Sequence, residues 1–572
     1  MDTRRAILWA IFSISILMLW DAYMRHTGTG SLFGPPAATE TANPPAAAPA
    51  SAPADGILSG QRPSQVGPVD AAIPSATQNL QPPSAPQLKS VPEEKSVAAA
   101  TGERLVLSNP DIELEIDSNG AKIVRAKLLN QISEEYEGNR ITLFETSTQR
   151  LYEAQTGLIA GQAVAPPNHT SAFRKLSSDA RSITFVAESG GIKLTKTYSL
   201  DATGYVIRVK HNVQNTGADT VTPAVYLQLM RDGNRPPGES QFYQTFIGPA
   251  VYTEQGKFQK IDFSDVEKNK ASHVKSAADG WVGIVQHYFV AAWVPQNAFS
   301  REFYTRKIDT NLYAAGMIQP LDTIAPGGQV SHEAILYAGP QLQRTLEQLA
   351  PGLELVVDYG WLTFLAKPIY WLLEKLHDLV ANWGWSIVLL TIIIKIIFYP
   401  LSAASYKSMA KMKAVSPRLV KLRELYANDK AKLNQAMMEL YKTEKINPLG
   451  GCLPIFIQIP VFLALYWVLL ASVEMRNAPW LGWVTDLSVP DPYFILPIVM
   501  AITMFIQTRL NPAPPDPLQA KVMMFMPIVF SIFFFFFPAG LVLYWLVNNV
   551  LSIAQQWYVM RALENSMKAK KA

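Results

Sequence analysis

The chain has 572 residues, 49% of them hydrophobic and 17% charged, with a mean hydropathy of +0.09. It is too long for one domain and too apolar for an ordinary soluble protein. A net charge of +4 excludes a general polyanion binder; the one cysteine, Cys452, excludes an intramolecular disulfide, marks no redox or metal site, and reads as a small apolar residue.

After Arg4 and Arg5, "AILWAIFSISILMLWDAY" forms an apolar segment over residues 6–23. It is a cleaved signal peptide or a retained anchor. No small-x-small cleavage site follows it directly and it outruns a usual signal core, so residues 1–27 are expected to be a transmembrane anchor. Residues 28–102 are largely Pro, Ala, Ser and Gln. That composition buries no core and predicts a disordered or extended linker.

Residues 103–340 change character. "RLVLSNPDIELEIDSNGAKIVRAKLL", "RSITFVAESGGIKLTKTYSL", "GYVIRVKHNVQNTG" and "GWVGIVQHYFVAAWV" alternate with period two between Asn-Gly, Gly-Gly and Thr-Gly turn signals. The expectation is one large antiparallel β-sandwich. A carbohydrate-active site would suit such a fold. Yet His169, His211, His273, His287 and His332 show no metal-ligand spacing, and no nucleophile elbow occurs. They read as core or surface histidines.

Residues 341–383 mix aromatics and leucines with Lys367, Glu374, Lys375, His377 and Asp378. The segment is too polar to span and suits an amphipathic helix in the membrane interface; the alternative is a soluble helix packed on the β domain. Five apolar stretches follow, at 384–401, 452–473, 493–510, 521–537 and 541–560, each near the ~20 residues needed to cross a bilayer. "PAG" at 538–540 is a tight turn between the last two. With the anchor this makes six spans.

The connection 402–451 carries ten lysines and arginines against four acids, and the tail 561–572 is also basic. The connection 474–492 has Glu474, Asp486 and Asp491 against Arg476; 511–520 is a short loop. The bias places both termini and 402–451 in the cytoplasm and the β domain outside; a large, cysteine-free, tethered domain outside an inner membrane suggests a Gram-negative periplasm. The basic connection reads as a two-helix hairpin whose basic face, with Lys411, Lys413, Lys421 and Arg423, meets anionic lipid or a polyanion such as ribosomal RNA.

"SMAKMKAVSPRLVKLRE", "INPLGGCLPIFIQIPVFLALY" and "FPAGLVLYWLVNN" resemble the YidC/Oxa/Alb family of membrane protein insertases, and the order of segments is similar over essentially the whole chain. The resemblance implies a multidomain membrane protein: an α-helical core of five transmembrane helices, an N-terminal anchor and a large periplasmic antiparallel β-sandwich. It implies a hydrophilic groove open to the cytoplasm and to lipid, through which nascent inner-membrane proteins insert, alone or with the Sec translocon. The ribosome and membrane lipids are further implied partners; no cofactor, metal or bond chemistry is implied. The family's groove cation, commonly arginine, matches Lys395 within "TIIIKIIFYP"; its threonine one turn earlier matches Thr391. Its groove glutamine matches Gln507, and its aromatic contact on the last span matches Trp545, beside Tyr544.

Spacing alone agrees in part. Thr391 and Lys395, Thr503 and Gln507, and Trp545, Asn549 and Ser552 each share one helix face. Polar stripes also act as interhelical glue. Lysine suits glue poorly, because no span offers a carboxylate at matching depth, and a water-filled groove is the cheaper solution. A solute or proton-coupled transporter built on Lys395 is the competing class, although no internal repeat or P-loop occurs. A membrane-tethered periplasmic sugar enzyme is another.

Overall fold

The structure, a computed structural model, describes residues 102–133, 137–161, 165–237, 245–296, 299–426, 429–444, 453–510, 525 and 531–571. The expected anchor, the linker to residue 101, Cys452, the loop 511–520 and most of the expected span 521–537 lie outside the described residues.

Two nine-stranded antiparallel sheets fill the region from Arg104 to Pro340 and share one buried core. The first runs, in spatial order, Arg104–Ser108, Ile112–Asp117, Lys122–Ile132, Arg140–Thr146, Leu151–Ile159, Ala224–Asp232, Leu312–Pro320, Arg301–Asp309 and Ser276–Ala277. The second runs Lys257–Lys260, Gly248–Thr253, Trp281–Val285, Phe289–Pro295, Gln329–Pro340, Val206–Asn215, Ile192–Leu200, Ser182–Ser189 and Arg174–Asp179. Alternation is strict where one face is covered: Ile192–Leu200 buries every second side chain. The Gly-Gly turn signal closes a hairpin, Gly190 and Gly191 taking φ of +58° and +71°, which side chains with a Cβ resist.

Alternation fails in "GWVGIVQHYFVAAWV". It forms two strands, Trp281–Val285 and Phe289–Pro295, buried at every position because both faces are covered. The histidines lie mostly in the core. His211 Nε2 is 2.8 Å from Thr156 Oγ1, and its ring is 5.7 Å from that of His332. Burial holds His332 down to about 4, so it is a neutral core residue at physiological pH. Among the described residues no cluster of three metal-ligating side chains occurs.

From Pro340 the chain passes through α1 (Gln343–Leu349) and two short turns to α2 (Thr363–Val380). Ala381, at φ +52°, stops α2 in the left-handed region. Asn382 starts α3 (Trp383–Ile397) by accepting the Trp385 amide at 3.0 Å, and its own amide donates to the Pro479 carbonyl at 3.0 Å. Gly384 is required there, since a Cβ would lie 2.2 Å from the Trp480 ring.

The span expected to run to Leu401 ends at Ile397. Pro400 lacks an amide hydrogen and sits in the first turn of a new helix, α4 (Tyr399–Leu425), bent by 66° from α3. The first helix of the basic hairpin therefore starts at Tyr399, before the expected connection 402–451. Its partner, α5 (Lys430–Thr443), is capped by Asp429, and Val415 and Leu419 are buried against Met437, Leu440 and Tyr441. α6 (Leu453–Ala471) and α7 (Ile495–Leu510) follow; Asp491 opens α7 by accepting the amides of Tyr493 and Leu496 at 3.0 and 2.7 Å. α8 (Ala539–Lys571) continues unbroken through residues expected to form a separate tail.

Among the described residues no single helix is long and apolar enough to cross a membrane; α3 and α4 meet that test together as a bent pair.

Candidate functional site: a buried polar network between helices

α8 packs between α3 and α7, and its inward face carries Asn548, Asn549, Ser552 and Gln556. Lys395 of α3 is 7% exposed, and its Nζ donates to Ser552 Oγ at 2.7 Å. Ser552 Oγ in turn donates to the Asn548 carbonyl at 2.7 Å, one turn back on its own helix. Tyr406 of α4 lies close to the same hydroxyl. Among the described residues no carboxylate lies within ion-pair distance of Lys395. An ammonium among apolar helices is thus held by neutral oxygens alone.

Thr391 is fully buried one turn from Lys395, but its hydroxyl donates to the Ile387 carbonyl at 2.7 Å. The ammonium's hydrogen-bond partner is therefore Ser552 rather than Thr391. On the opposite side of α8, Asn549 donates to Thr503 Oγ1 of α7 at 3.5 Å, and Thr503 donates to the Met500 carbonyl. Gln507 lies one turn further on, half-exposed. Trp545 is half-buried, its ring edge-on to Phe462 of α6 at 4.4 Å and 5.2 Å from Phe534. Tyr544 beside it is buried and stacks on Phe462. The structure thus joins Lys395 to Ser552 and Asn549 to Thr503 directly.

A cavity of ≈ 20 Å³ adjoins Lys395, lined by Ile394, Phe398, Ser402, Gln458 and Val461. It has room for about one water molecule. A wider open cleft of ≈ 480 Å³ lies past the bend, between Tyr399 and Lys407 of α4 and Tyr558 of α8. Sequence spacing missed Gln458, whose amide donates to Asn548 Oδ1, and Ser402 and Ser405, both buried. Gln458 was open to detection as a lone amide within "PIFIQIPVF". The two serines were hidden because the bend after Ile397 could not be read.

On the hairpin, Lys411, Lys413 and Lys421 are exposed and Arg423 is half-buried, none in an ion pair among the described residues. Arg418 instead pairs with Glu444 at 2.6 Å and ties α4 to the end of α5.

Two family models match the chain. Residues 375–567 match the 60Kd inner membrane protein and residues 104–372 the YidC periplasmic domain. A "Membrane protein insertase YidC" of Cupriavidus necator is 52% identical over 570 residues, covering 98% of each chain. One of Bordetella parapertussis is 53% identical over 576 residues, covering 100% of this chain and 99% of its own length. Among solved structures, an active YidC insertase crystal structure aligns with 80% of this chain and 93% of its own at 17% identity and a TM-score of 0.37. A galactose mutarotase related enzyme of Lactobacillus acidophilus covers 41% of this chain at a TM-score of 0.29.

Proposed function

This chain belongs to the YidC family of membrane protein insertases, and from that premise we propose that the network around Lys395 is where a nascent membrane protein's polar leading segment is received. The observation that carries the reading is a lysine enclosed by apolar helices and satisfied by hydroxyl oxygen rather than by a carboxylate. Such a charge remains available to an acidic or polar chain. Water and the fixed amides and hydroxyls of Gln458, Asn548 and Ser552 lower that segment's desolvation cost. Its apolar part then moves along the exposed Ile498, Ile502, Phe505 and Ile506 of α7 into lipid. Apolar burial, at roughly 25 cal/mol per Å², drives the step without nucleotide. The protein acts without bond chemistry.

The topology that goes with this reading is multi-pass in a bacterial inner membrane, with both termini and the basic hairpin cytoplasmic and the sandwich periplasmic. Trp361, Phe364, Trp371 and Leu379 are all more than half exposed on and beside α2, which suits a helix lying in the outer interface. The Sec translocon, the ribosome and anionic lipid are partners on the same reading. Reconstitution into liposomes lacking other translocases tests it: a purified nascent substrate inserts without nucleotide or ion gradient. Solute flux with no insertion would replace the insertase by the transporter.

The sandwich contributes no side chain to the Lys395 network, so its removal is expected to leave insertion largely intact. The excision covers residues 104–340 as a unit, because Gln329–Pro340 lies mid-sheet and a shorter cut would leave it as an unpaired apolar strand. Residues 341–383 stay. Complete loss of insertion by a well-folded, correctly oriented deletion variant would show that the sandwich takes part.

A further inference from the structure

Glu474 lies in the short turn after α6, where α6, α2 and the last sandwich strand converge. Its Oε1 accepts the Tyr370 hydroxyl of α2 at 2.9 Å. Its Oε2 is buried and has no hydrogen-bond partner among the described residues. The stem of the side chain is partly exposed; the carboxyl end is enclosed.

The groups facing it are phenols and one further acid. α2 presents Tyr370 and Glu374, the turn before α2 presents Tyr359, and the strand Gln329–Pro340 presents Tyr337. Nearby cations are engaged elsewhere. Arg344 of α1 binds Glu374 at 2.6 Å and Asp378 at 3.0 Å. Arg476 lies over the rings of Tyr288 and Phe289 and donates to the Ile132 carbonyl at 3.2 Å. His287 is hydrogen-bonded to the Leu470 carbonyl at 2.9 Å and kept neutral by burial, at about 4.

We propose that Glu474 is a proton-operated latch between α2 and the outer end of α6. Neutral, the carboxyl fits the phenol-lined joint while accepting the Tyr370 hydroxyl; that bond persists on ionisation but does not offset the lost solvation. Ionised, it has no counter-charge, repels Glu374 and loosens α2 from α6. The latch depends on the insertase reading only for the compartment that supplies the proton.

Burial, helped by the Glu374 charge, raises this carboxyl from its ordinary 4.5 to about 7, against the lowering effects of its own backbone amide and of the Tyr370 bond. A folded-state value above the unfolded one stabilises the joint fully below pH 4.5, and the contribution is lost as pH rises through about 7. The switch therefore falls where small changes in outside pH act.

The test is hydrogen exchange of residues 363–380 in the full chain in vesicles, between about pH 6 and about pH 8, corrected for the intrinsic rate. Native protection is expected to fall roughly tenfold across that range, while Glu474→Gln stays protected and flat. Tyr370→Phe removes a donor to the carboxylate and moves the midpoint to higher pH. Glu374→Gln removes the like charge and moves it lower. Parallel profiles for native and Glu474→Gln protein overturn the latch, and so does a Gln variant exposed at every pH. If that variant does not fold, the two remaining variants decide, and midpoints that do not move apart overturn the proposal. The insertase reading stands or falls separately, on the liposome assay.

Discussion

Lys395→Ala is expected to slow insertion about tenfold, the equivalent of about 1.4 kcal/mol in a barrier, for substrates whose leading segment is acidic. The effect should be smallest for uncharged leading segments. Lys395→Glu should be worse, because it places like charge where the acidic chain arrives. Lys395→Arg should insert near the native rate, since it keeps the charge on a long stem, although its planar fork presents donors differently. The ≈ 20 Å³ cavity beside the lysine supplies part of the extra room. Folding should be little changed in the alanine variant. No carboxylate is left unpaired, and Ser552 keeps its bond to the Asn548 carbonyl. A Lys395→Cys variant with Cys452 replaced should react, slowly, with a water-soluble maleimide from the cytoplasmic side. No labelling, combined with unfolding of Lys395→Ala, would make the lysine a structural strut.

The second large effect is expected from the hairpin. Reversing Lys411, Lys413, Lys421 and Arg423 to glutamate should impair insertion strongly while the protein itself still resides in the membrane. These side chains are not paired within the described residues, so their reversal breaks no internal ion pair. The hairpin core of Val415, Leu419, Met437 and Leu440 is untouched, and so is the Arg418–Glu444 pair. What changes is the sign of the field met by lipid, ribosome or an incoming acidic segment. Orientation is checked first by protease access. Normal substrate insertion by a correctly oriented reversal variant would remove the hairpin from the pathway.

Much of the architecture was legible because burial leaves a period. The Gly190–Gly191 hairpin, the alternation of Ile192–Leu200 and the apolar runs of α6 and α7 all follow local rules. Strands covered on both faces lack the signal: Trp281–Val285 and Phe289–Pro295 are buried at every position, so the expected alternation is absent there. The end of α3 was misplaced because apolar residues continue across Pro400, and only the proline's missing donor marks the bend. In the site, the spacing of Thr391 and Lys395 was visible, but the partner of Lys395 was not. Lys395 and Ser552 are 157 residues apart, and no local rule links them. Glu474 and Tyr370, 104 residues apart, were hidden for the same reason. There the sequence shows only an acid in an outside loop, and the enclosure comes from the fold.

The position of Gln329–Pro340 has a kinetic consequence. This strand pairs with Phe289–Pro295 on one side and Val206–Asn215 on the other, so the second sheet stays in two pieces until it arrives. The first sheet waits similarly, since Ala224–Asp232 needs Leu312–Pro320. Loop-closure entropy is paid over long stretches of the domain before these contacts return it. During synthesis the sandwich therefore emerges with long unpaired edges and completes only when the residues next to α1 have crossed. Arrested chains ending before residue 329 should stay open to protease, and those extending past Pro340 should become resistant in one step.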